Sequence, residues 1–236
     1  MNQVVTILIT ALLPIVILGI YIYRKDSSVP EPVGQLVKAF VFGVISIFVS
    51  LCISIPFSLM GLFPDEPKTV LDSIAISFWG AAIPEEIAKF VMLWLVLRKN
   101  KYFDEKMDGI VYAVCVSLGF AALENVMYLF DNIESFVSVG ITRGIFSVPG
   151  HFCFGVLMGY YYSLAKFYPI GKSKNWVLAL IAPILVHGVY DSILFTMNVS
   201  TGISTVLFFV FLYFCFRMWK YGSAKIREHL DRDNVN

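Results

Sequence analysis

The stretch IAISFWGAAIPEEIAKFVMLWLVL, residues 74–97, decides the class of this protein. It is apolar over more than the roughly 20 residues that a helix needs to cross the hydrocarbon core of a bilayer. Similar runs recur along the 236 residues, of which 58% are hydrophobic and 15% are charged. A soluble domain has about a quarter of its residues charged. The sequence therefore predicts a multi-pass integral membrane protein that partners a lipid bilayer and binds no nucleic acid.

The predicted fold class is all-α, a polytopic transmembrane helical bundle, because the apolar runs are continuous rather than alternating. We predict one transmembrane domain, residues 1–221, and a polar cytoplasmic tail, residues 222–236. The tail is interpreted as a frayed helix end, with His229 as a solvated surface histidine. The seven predicted spans are residues 4–23, 33–62, 74–97, 110–130, 151–168, 176–197 and 200–221.

The charges of the connections predict the orientation. Basic residues follow the first, third, fifth and seventh spans, and acidic residues follow the second and fourth. The positive-inside rule then places the N-terminus outside and the C-terminus in the cytoplasm. This topology requires that residues 136–148 do not cross the membrane. We therefore predict that they form a short re-entrant or interfacial segment.

Ionisable residues inside the spans mark a candidate site, since each charge at mid-bilayer costs about 2.5–3.5 kcal/mol and must find a partner. Glu85 and Lys89 are four residues apart and share one helix face. In the predicted topology the whole set lies between the midplane and the outer surface, which favours one shared site. The catalytic candidates are Glu85, Glu86, Glu124, His151, His187 and Asp191, and the supporting candidates are Lys89, Asn125 and Arg143.

Structural roles compete with catalysis at several of these positions. A charged side chain can serve packing alone, and a long one can snorkel to the interface. The structural alternatives are a packing carboxylate for Glu86, snorkelling for Arg143, a core histidine for His151, orientation of His187 for Asp191, and a structural carboxylate for Asp108 at the cytoplasmic mouth of the fourth span.

The residue types favour hydrolysis. A glutamate near a histidine, away from bulk solvent, can act as a general base towards water, and neighbouring donors can stabilise the oxyanion. Proton-coupled transport, with the acids as a relay, would use the same inventory. The residues leave open whether a cofactor is needed at all. A divalent metal such as zinc, if present, would be held by Glu85, Glu124, His151 and His187.

Five motifs occur in order on successive spans: EEIAK (85–89), DGIVYA (108–113), GFAALENVMY (119–128), RGIFSVPGH (143–151) and HGVYD (187–191). In these motifs the sequence resembles the PrsW family of bacterial intramembrane proteases, within the CAAX-protease-like group. The resemblance implies a protease of the bacterial cell membrane that makes the site-1 cut in a membrane-anchored anti-sigma factor on its extracytoplasmic side. A proton-coupled transporter and a peptide-processing or bacteriocin-immunity protease remain alternatives.

The related CAAX prenyl endopeptidases carry EExxxR, FxxxH and HxxxN. By this resemblance Glu85 corresponds to the water-activating glutamate and His187 to an active-site histidine. Lys89 stands one position before the arginine, Glu124 replaces a histidine and Asp191 replaces an asparagine. These departures argue against a prenyl-CAAX substrate. They leave the oxyanion donor open between a protonated Asp191, Asn125, His151 and the backbone.

Overall fold

The computed structural model describes residues 2–26, 29–200 and 202–234, and within these ranges all regular structure is helical. Two π-helical segments, Ile76–Ala82 and Arg143–Ser147, join α3 to α4 and α6 to α7. The all-α membrane bundle predicted from the sequence is confirmed. The helices are α1 (Gln3–Lys25), α2 (Val33–Leu59), α3 (Val70–Ala75), α4 (Ile83–Leu97), α5 (Lys106–Asp131), α6 (Phe136–Thr142), α7 (Val148–Phe167), α8 (Lys172–Val199) and α9 (Ser204–Asp233).

Five helical stretches are long and apolar enough to cross a membrane, judged by length and composition: α1, α2, α5, α8 and the continuous stretch Phe136–Phe167. The predicted span 74–97 is also helical throughout, from α3 through the first π-helical segment to the end of α4. The last predicted span coincides with the first half of α9. These elements make the chain a multi-pass membrane protein.

Helix α5 is the centre of the bundle and packs against α2 on one side and α7 on the other. Glycines permit both close approaches. A Cβ added at Gly119 would collide with the backbone carbonyl of Phe40 on α2, and one added at Gly159 on α7 would collide with that of Gly109. Small residues at such crossings let helix backbones come into direct van der Waals contact, which stabilises helix association in membranes.

The two π-helical segments share a cause. Each ends two residues before a proline, with Ile83 before Pro84 and Val148 before Pro149 in between. Proline lacks a backbone N–H and its ring crowds the preceding turn, and a wider π turn accommodates both effects without ending the helix. The kink expected before the acids of α4 is therefore a π-helical turn. Glu85 and His151 follow these prolines within two residues, so the irregular turns set their direction.

Residues 136–148 do not form a separate re-entrant segment, so that form of the prediction was wrong, and an interfacial position stays a prediction. Helix α6 continues through the second π-helical segment into α7 as one stretch of 32 residues. Its first part is packed in the bundle, where Phe136 and Val139 contact Ile7, Ala11 and Leu129. The segment makes no crossing of its own, so the number of predicted crossings is unchanged.

The interpretation of His229 as a solvated surface residue was also wrong. Helix α9 continues to Asp233, and His229 is fully buried. Its ring stacks on Tyr160 of α7 at 4.5 Å between centroids, and Nε2 lies 3.2 Å from the Tyr160 carbonyl oxygen. The end of α9 is held by an ion pair of 3.0 Å between Asp233 and Lys106. These contacts order a segment whose composition alone is typical of a frayed end.

Candidate active site

The site is built around Lys89, whose side chain is 1% exposed. Its Nζ lies 2.8 Å from Glu86 Oε1, 3.2 Å from Glu85 Oε2 and 3.2 Å from His151 Nδ1. The ring of Phe120 lies beneath the ammonium at 4.0 Å. Because an ammonium group only donates, Nδ1 of His151 accepts this bond and the ring carries its proton on Nε2. One lysine therefore pairs with both acids and fixes a histidine tautomer.

Glu124 forms the second part of the cluster. Its Oε2 accepts from Arg143 Nη2 at 2.5 Å and from His151 Nε2 at 2.9 Å. The guanidinium of Arg143 also lies over the ring of Tyr128, 3.9 Å from its centroid. Arg143 thus points into the bundle and does not snorkel. The π-helical turn that begins at Arg143 places it opposite α5.

Asn125 braces α5 against its neighbours. Its Nδ2 donates to the backbone carbonyl of Ala11 on α1 at 3.2 Å, and its Oδ1 accepts from Arg143 Nε at 2.7 Å. Both ends of the amide are therefore engaged, and the side chain does not line the cavity described below. The role of Asn125 as an oxyanion donor stays a prediction.

His187 lies between two carboxylates. Its Nδ1 is 2.9 Å from Glu86 Oε1 and its Nε2 is 3.2 Å from Asp191 Oδ2. Phe154 stacks on the ring with 4.5 Å between centroids. An ionised carboxylate only accepts, so the ring can serve both carboxylates as an imidazolium with an N–H on each nitrogen. Nε2 also lies 4.0 Å from Glu85 Oε2, which links this part of the cluster to the first.

A cavity of about 210 Å³ opens beside these residues. Glu86, Lys89 and Asn125 lie behind its wall and support the residues in front. The apolar part of its lining includes Phe146, Leu194 and Phe211, so α9 closes one side. The predicted site residues that line the cavity are Glu85, Glu124, Arg143, His151, His187 and Asp191.

Sequence reasoning missed the apolar and backbone partners of the site. Phe154 supports His187, and Phe211 comes from α9, which carried no candidate residue. The carbonyl of His151 accepts from Ser117 Oγ at 2.7 Å, which binds α7 to α5 beside the site. The position of Phe154, three residues after His151, hints at a shared helix face. The sequence holds no comparable sign for Phe211 or Ser117.

The donor set fits a divalent cation. Four carboxylates against two basic side chains, Lys89 and Arg143, leave a formal charge of −2 when the histidines are neutral. Oε2 of Glu86 is buried without a hydrogen-bond partner among the described residues. Two groups have ligand atoms within 4.8 Å of one another, Glu85–Glu124–His151 and Glu85–Glu86–His187. Carboxylate and imidazole ligands are those of catalytic zinc.

Residues 31–216 match the family model described as PrsW family intramembrane metalloprotease. The chain belongs to the PrsW family. It is 34% identical to Protease PrsW of Clostridioides difficile strain 630 over 94% of this chain and 90% of that protein. It is 33% identical to Protease PrsW of Oceanobacillus iheyensis over 88% of this chain and 94% of that relative. Identity to Protease PrsW of Bacillus subtilis strain 168 is 32%, over 88% of each chain.

No solved structure matches the chain. Membership of the PrsW family confirms the predicted resemblance, and the chain is a membrane-embedded peptidase. The family is described as a metalloprotease family, and the acidic and histidine groups around Glu85 could hold such a metal.

Proposed function

We propose that this chain cuts a membrane-spanning anti-sigma factor on its extracytoplasmic side, making the site-1 cleavage with a water activated by Glu85. One observation carries the catalytic assignment. Of the adjacent glutamates, Glu85 faces the cavity, whereas Glu86 is fully buried and held by Lys89 and His187. A general base must reach both the water and its own supporting groups. Glu85 meets both conditions.

In this mechanism Glu85 takes a proton from water as the water oxygen attacks the scissile carbonyl carbon. The carbonyl π electrons move to the oxygen, and the Nε2–H of His187 releases Asp191 Oδ2 and stabilises the oxyanion. When the C–N bond breaks, the proton held by Glu85 passes to the departing amine. Lys89 and Glu86 are positioning residues: Lys89 orients the base, and Glu86, together with Asp191, orients His187.

A divalent metal would be held in this site by Glu85, Glu124 and His151, with His187 beside them. When bound, it would act as a Lewis acid towards the carbonyl and lower the pKa of a bound water. His151 could ligate through Nε2 only if its proton moved to Nδ1, which would release its hydrogen bonds with both Glu124 and Lys89. Arg143 would then remain as the partner of the Glu124 carboxylate.

The position of the site along α5 supports a cut near one membrane surface. Glu124 lies seven residues before the end of α5 at Asp131, which is about 10 Å of helix. In the orientation predicted by the positive-inside rule, that end of α5 is extracytoplasmic. A peptide bond just outside the span of a single-pass substrate would reach this depth.

The decisive experiment uses purified protein in liposomes with a panel of single-span substrates of anti-sigma-factor type. We expect Glu85→Gln and His187→Ala each to lower the cleavage rate by about 10²–10⁴-fold, as general-base and oxyanion losses do. Glu66→Gln, an exposed glutamate in the α2–α3 connection, is the matched control and should cleave like the wild type. Unchanged cleavage by Glu85→Gln would remove Glu85 from the mechanism.

Chelation separates the two forms of catalysis. Loss of cleavage on chelator treatment, restored by zinc, would support a metal bound by the groups around Glu85. Chelator-resistant cleavage would support glutamate catalysis without metal.

The membrane orientation is tested separately. Impermeant maleimide should label Asp65→Cys in intact cells and Ser223→Cys only after permeabilisation, in a chain whose native cysteines are replaced. The opposite pattern would invert the predicted topology and move the cut to the cytoplasmic side.

A further inference from the structure

A second acidic cluster lies at the opposite end of α5 from the candidate active site. Its members are Asp26, directly after α1, Glu31, just before α2, and Glu105 and Asp108 at the start of α5. Sixteen residues of helix separate Asp108 from Glu124, which is about 24 Å. Nothing in the proposed proteolytic mechanism uses this cluster.

The spacing of three carboxylates in the cluster is compatible with one bound ion. One carboxylate oxygen each of Asp26, Glu105 and Asp108 lies within 4.8 Å of the others. Two ligands of one Ca²⁺ can be at most twice the Ca–O distance of about 2.3–2.6 Å apart, so this spacing suits a single ion. Asp26 and Asp108 are both 0% exposed.

Unpartnered oxygens point to a missing ligand. Within the described parts of the chain, both oxygens of Asp26 and Oδ1 of Asp108 are buried without a hydrogen-bond partner. The other oxygen of Asp108 is occupied, because Oδ2 accepts from the backbone N–H groups of Asp104 at 3.0 Å and Glu105 at 2.6 Å. A buried carboxylate without a donor is costly, and such groups are normally paired or bound to a metal.

The nearby lysines are engaged elsewhere. Lys106 Nζ binds Asp233 Oδ1 at 3.0 Å and the Arg232 carbonyl at 3.3 Å, and Lys166 donates to the Phe103 carbonyl. Asp233 itself adds negative charge near Asp26.

Asp26 and Glu31 are carboxyl groups whose ionised form is disfavoured by their surroundings. Burial raises the pKa of Asp26 to about 6, and the carboxylates of Glu105 and Asp233 add to the rise. Burial likewise raises the pKa of Glu31 to about 7, although the Tyr112 hydroxyl donates to it. A cation bound among these groups would favour their ionised form.

We propose that Asp26, Glu105 and Asp108 bind a hard divalent cation, Mg²⁺ or Ca²⁺, with Glu31 beside them as a further acceptor. Carboxylate oxygens are the ligands that both ions prefer, and water completes the coordination of Mg²⁺ in particular. The ion ties the end of α1 to the start of α5. Those two helices are also joined near the active site, where Asn125 binds the Ala11 carbonyl. The ion thus fixes the far end of the helix pair that carries Glu124.

Binding is measured with Tb³⁺, a luminescent stand-in for Ca²⁺ that nearby tyrosines such as Tyr112 sensitise, on the full chain in detergent. Because the candidate active site can also hold a metal, each chain is compared with and without Glu85→Gln. We expect luminescence to persist in Glu85→Gln. In Asp26→Asn and Glu105→Gln, half-maximal luminescence should need at least about tenfold more Tb³⁺, since the number of carboxylate ligands sets the affinity of such sites. Asp65→Asn in the α2–α3 connection is the matched control.

Thermal melting gives a second readout with a distinctive sign. Saturating Mg²⁺ or Ca²⁺ should raise the Tm of the wild type by about 5 °C or more over KCl of equal ionic strength. Without divalent ions, Asp26→Asn should melt above the wild type, because a buried repulsive charge is gone, and it should gain nothing from the ion. Whichever ion displaces Tb³⁺ at the lower concentration is the preferred ligand.

The proposal is overturned if luminescence vanishes with Glu85→Gln yet survives Asp26→Asn and Glu105→Gln. It is equally overturned if the wild type shows neither luminescence nor a divalent-specific rise in Tm. Should Asp26→Asn fail to fold, Glu105→Gln decides alone, since Glu105 is only partly buried and its loss leaves the helices packed.

Discussion

Carboxylates gather at both ends of α5, but the two clusters are balanced in opposite ways. Around Glu85 the acids are met by Lys89, Arg143 and two histidines, and most of the contacts are between 2.5 and 3.2 Å. Around Asp26 the nearest lysines bind other groups, and carboxylate oxygens stay without partners in the described chain.

The difference separates two uses of buried charge. Charges inside the bilayer must be compensated by the protein itself, because water and ions reach them poorly. Charges at the end of the bundle can be compensated from solution, so the fold can leave them unpaired until an ion arrives. Most charges of the first cluster are therefore paired within the chain, whereas the second cluster depends on the proposed ion.

The largest expected effect comes from removing the cation that the first cluster shares. Lys89→Met should lower the free energy of unfolding by about 3–5 kcal/mol, because it leaves Glu85 and Glu86 as buried charges without their partner. Melting in detergent measures this. Lys99→Met, on the exposed end of the same helical stretch, should change stability by less than about 0.5 kcal/mol.

A double variant sharpens that result. Glu86→Leu with Lys89→Met removes both members of the closer buried pair, so part of the lost stability should return, although Glu85 still lacks its lysine partner. If Lys89→Met alone melts like the wild type, Lys89 does not stabilise the buried carboxylates of Glu85 and Glu86 as described.

The same chemical change should have opposite signs in the two clusters. Glu86→Gln should cost about 2–4 kcal/mol, since the ionised acceptor of Lys89 and His187 is lost. Asp26→Asn in buffer free of divalent ions should instead stabilise the chain by on the order of 1 kcal/mol. Parallel melting curves test both. If both variants were destabilised, the carboxylates of the two clusters would not differ in how their charge is balanced.

Arg143 tests how specific the pairing in the first cluster is. We expect Arg143→Lys to lower the cleavage rate by about 10–100-fold, because an ammonium cannot bind Glu124 and Asn125 through two separate nitrogens as the guanidinium does. The loss should appear in kcat with little change in Tm. Full activity in Arg143→Lys would show that only its charge matters.

The smallest effect concerns pH at the end of the bundle that holds the second cluster. Burial lowers the pKa of His229 to about 4, below its ordinary value, and Nδ1 is buried without a partner among the described residues. Between pH 4 and about 6.5 the unfolded state therefore binds more protons than the folded state, so stability falls as the pH drops through this window. We expect a loss on the order of 1 kcal/mol.

Hydrogen exchange of residues 222–233 measures the opening of this helix end at pH 5 and pH 7.5, after correction for intrinsic rates. His229→Phe, which keeps an aromatic ring against Tyr160, should remove the difference. Equal protection of the wild type at both pH values would contradict the assignment.

Several predictions failed where composition is a poor guide. The polar residues of 222–233 are typical of a frayed end, yet contacts with Tyr160 and Lys106, distant in sequence, bury His229 and hold Asp233. The loop charges required that residues 136–148 make no crossing, but they do not show that a π-helical turn carries the helix past Pro149 into the following span. Both errors have the same origin, since each feature depends on backbone geometry or on partners that no local pattern encodes.

The sequence by itself determined the class of the protein, the approximate position of its helical spans, and the charged residues and histidines that line the cavity. Those features follow from local rules: apolar length sets a span, and a charge within a span must find a partner. Only the tertiary structure decided which partner each charge takes. It placed Lys89 between Glu85, Glu86 and His151, turned Asn125 into a brace, and brought the acids beside Asp26 together from separate connections. Pairings between helices depend on crossing positions and helix rotation, and a one-dimensional pattern of residues does not contain these quantities.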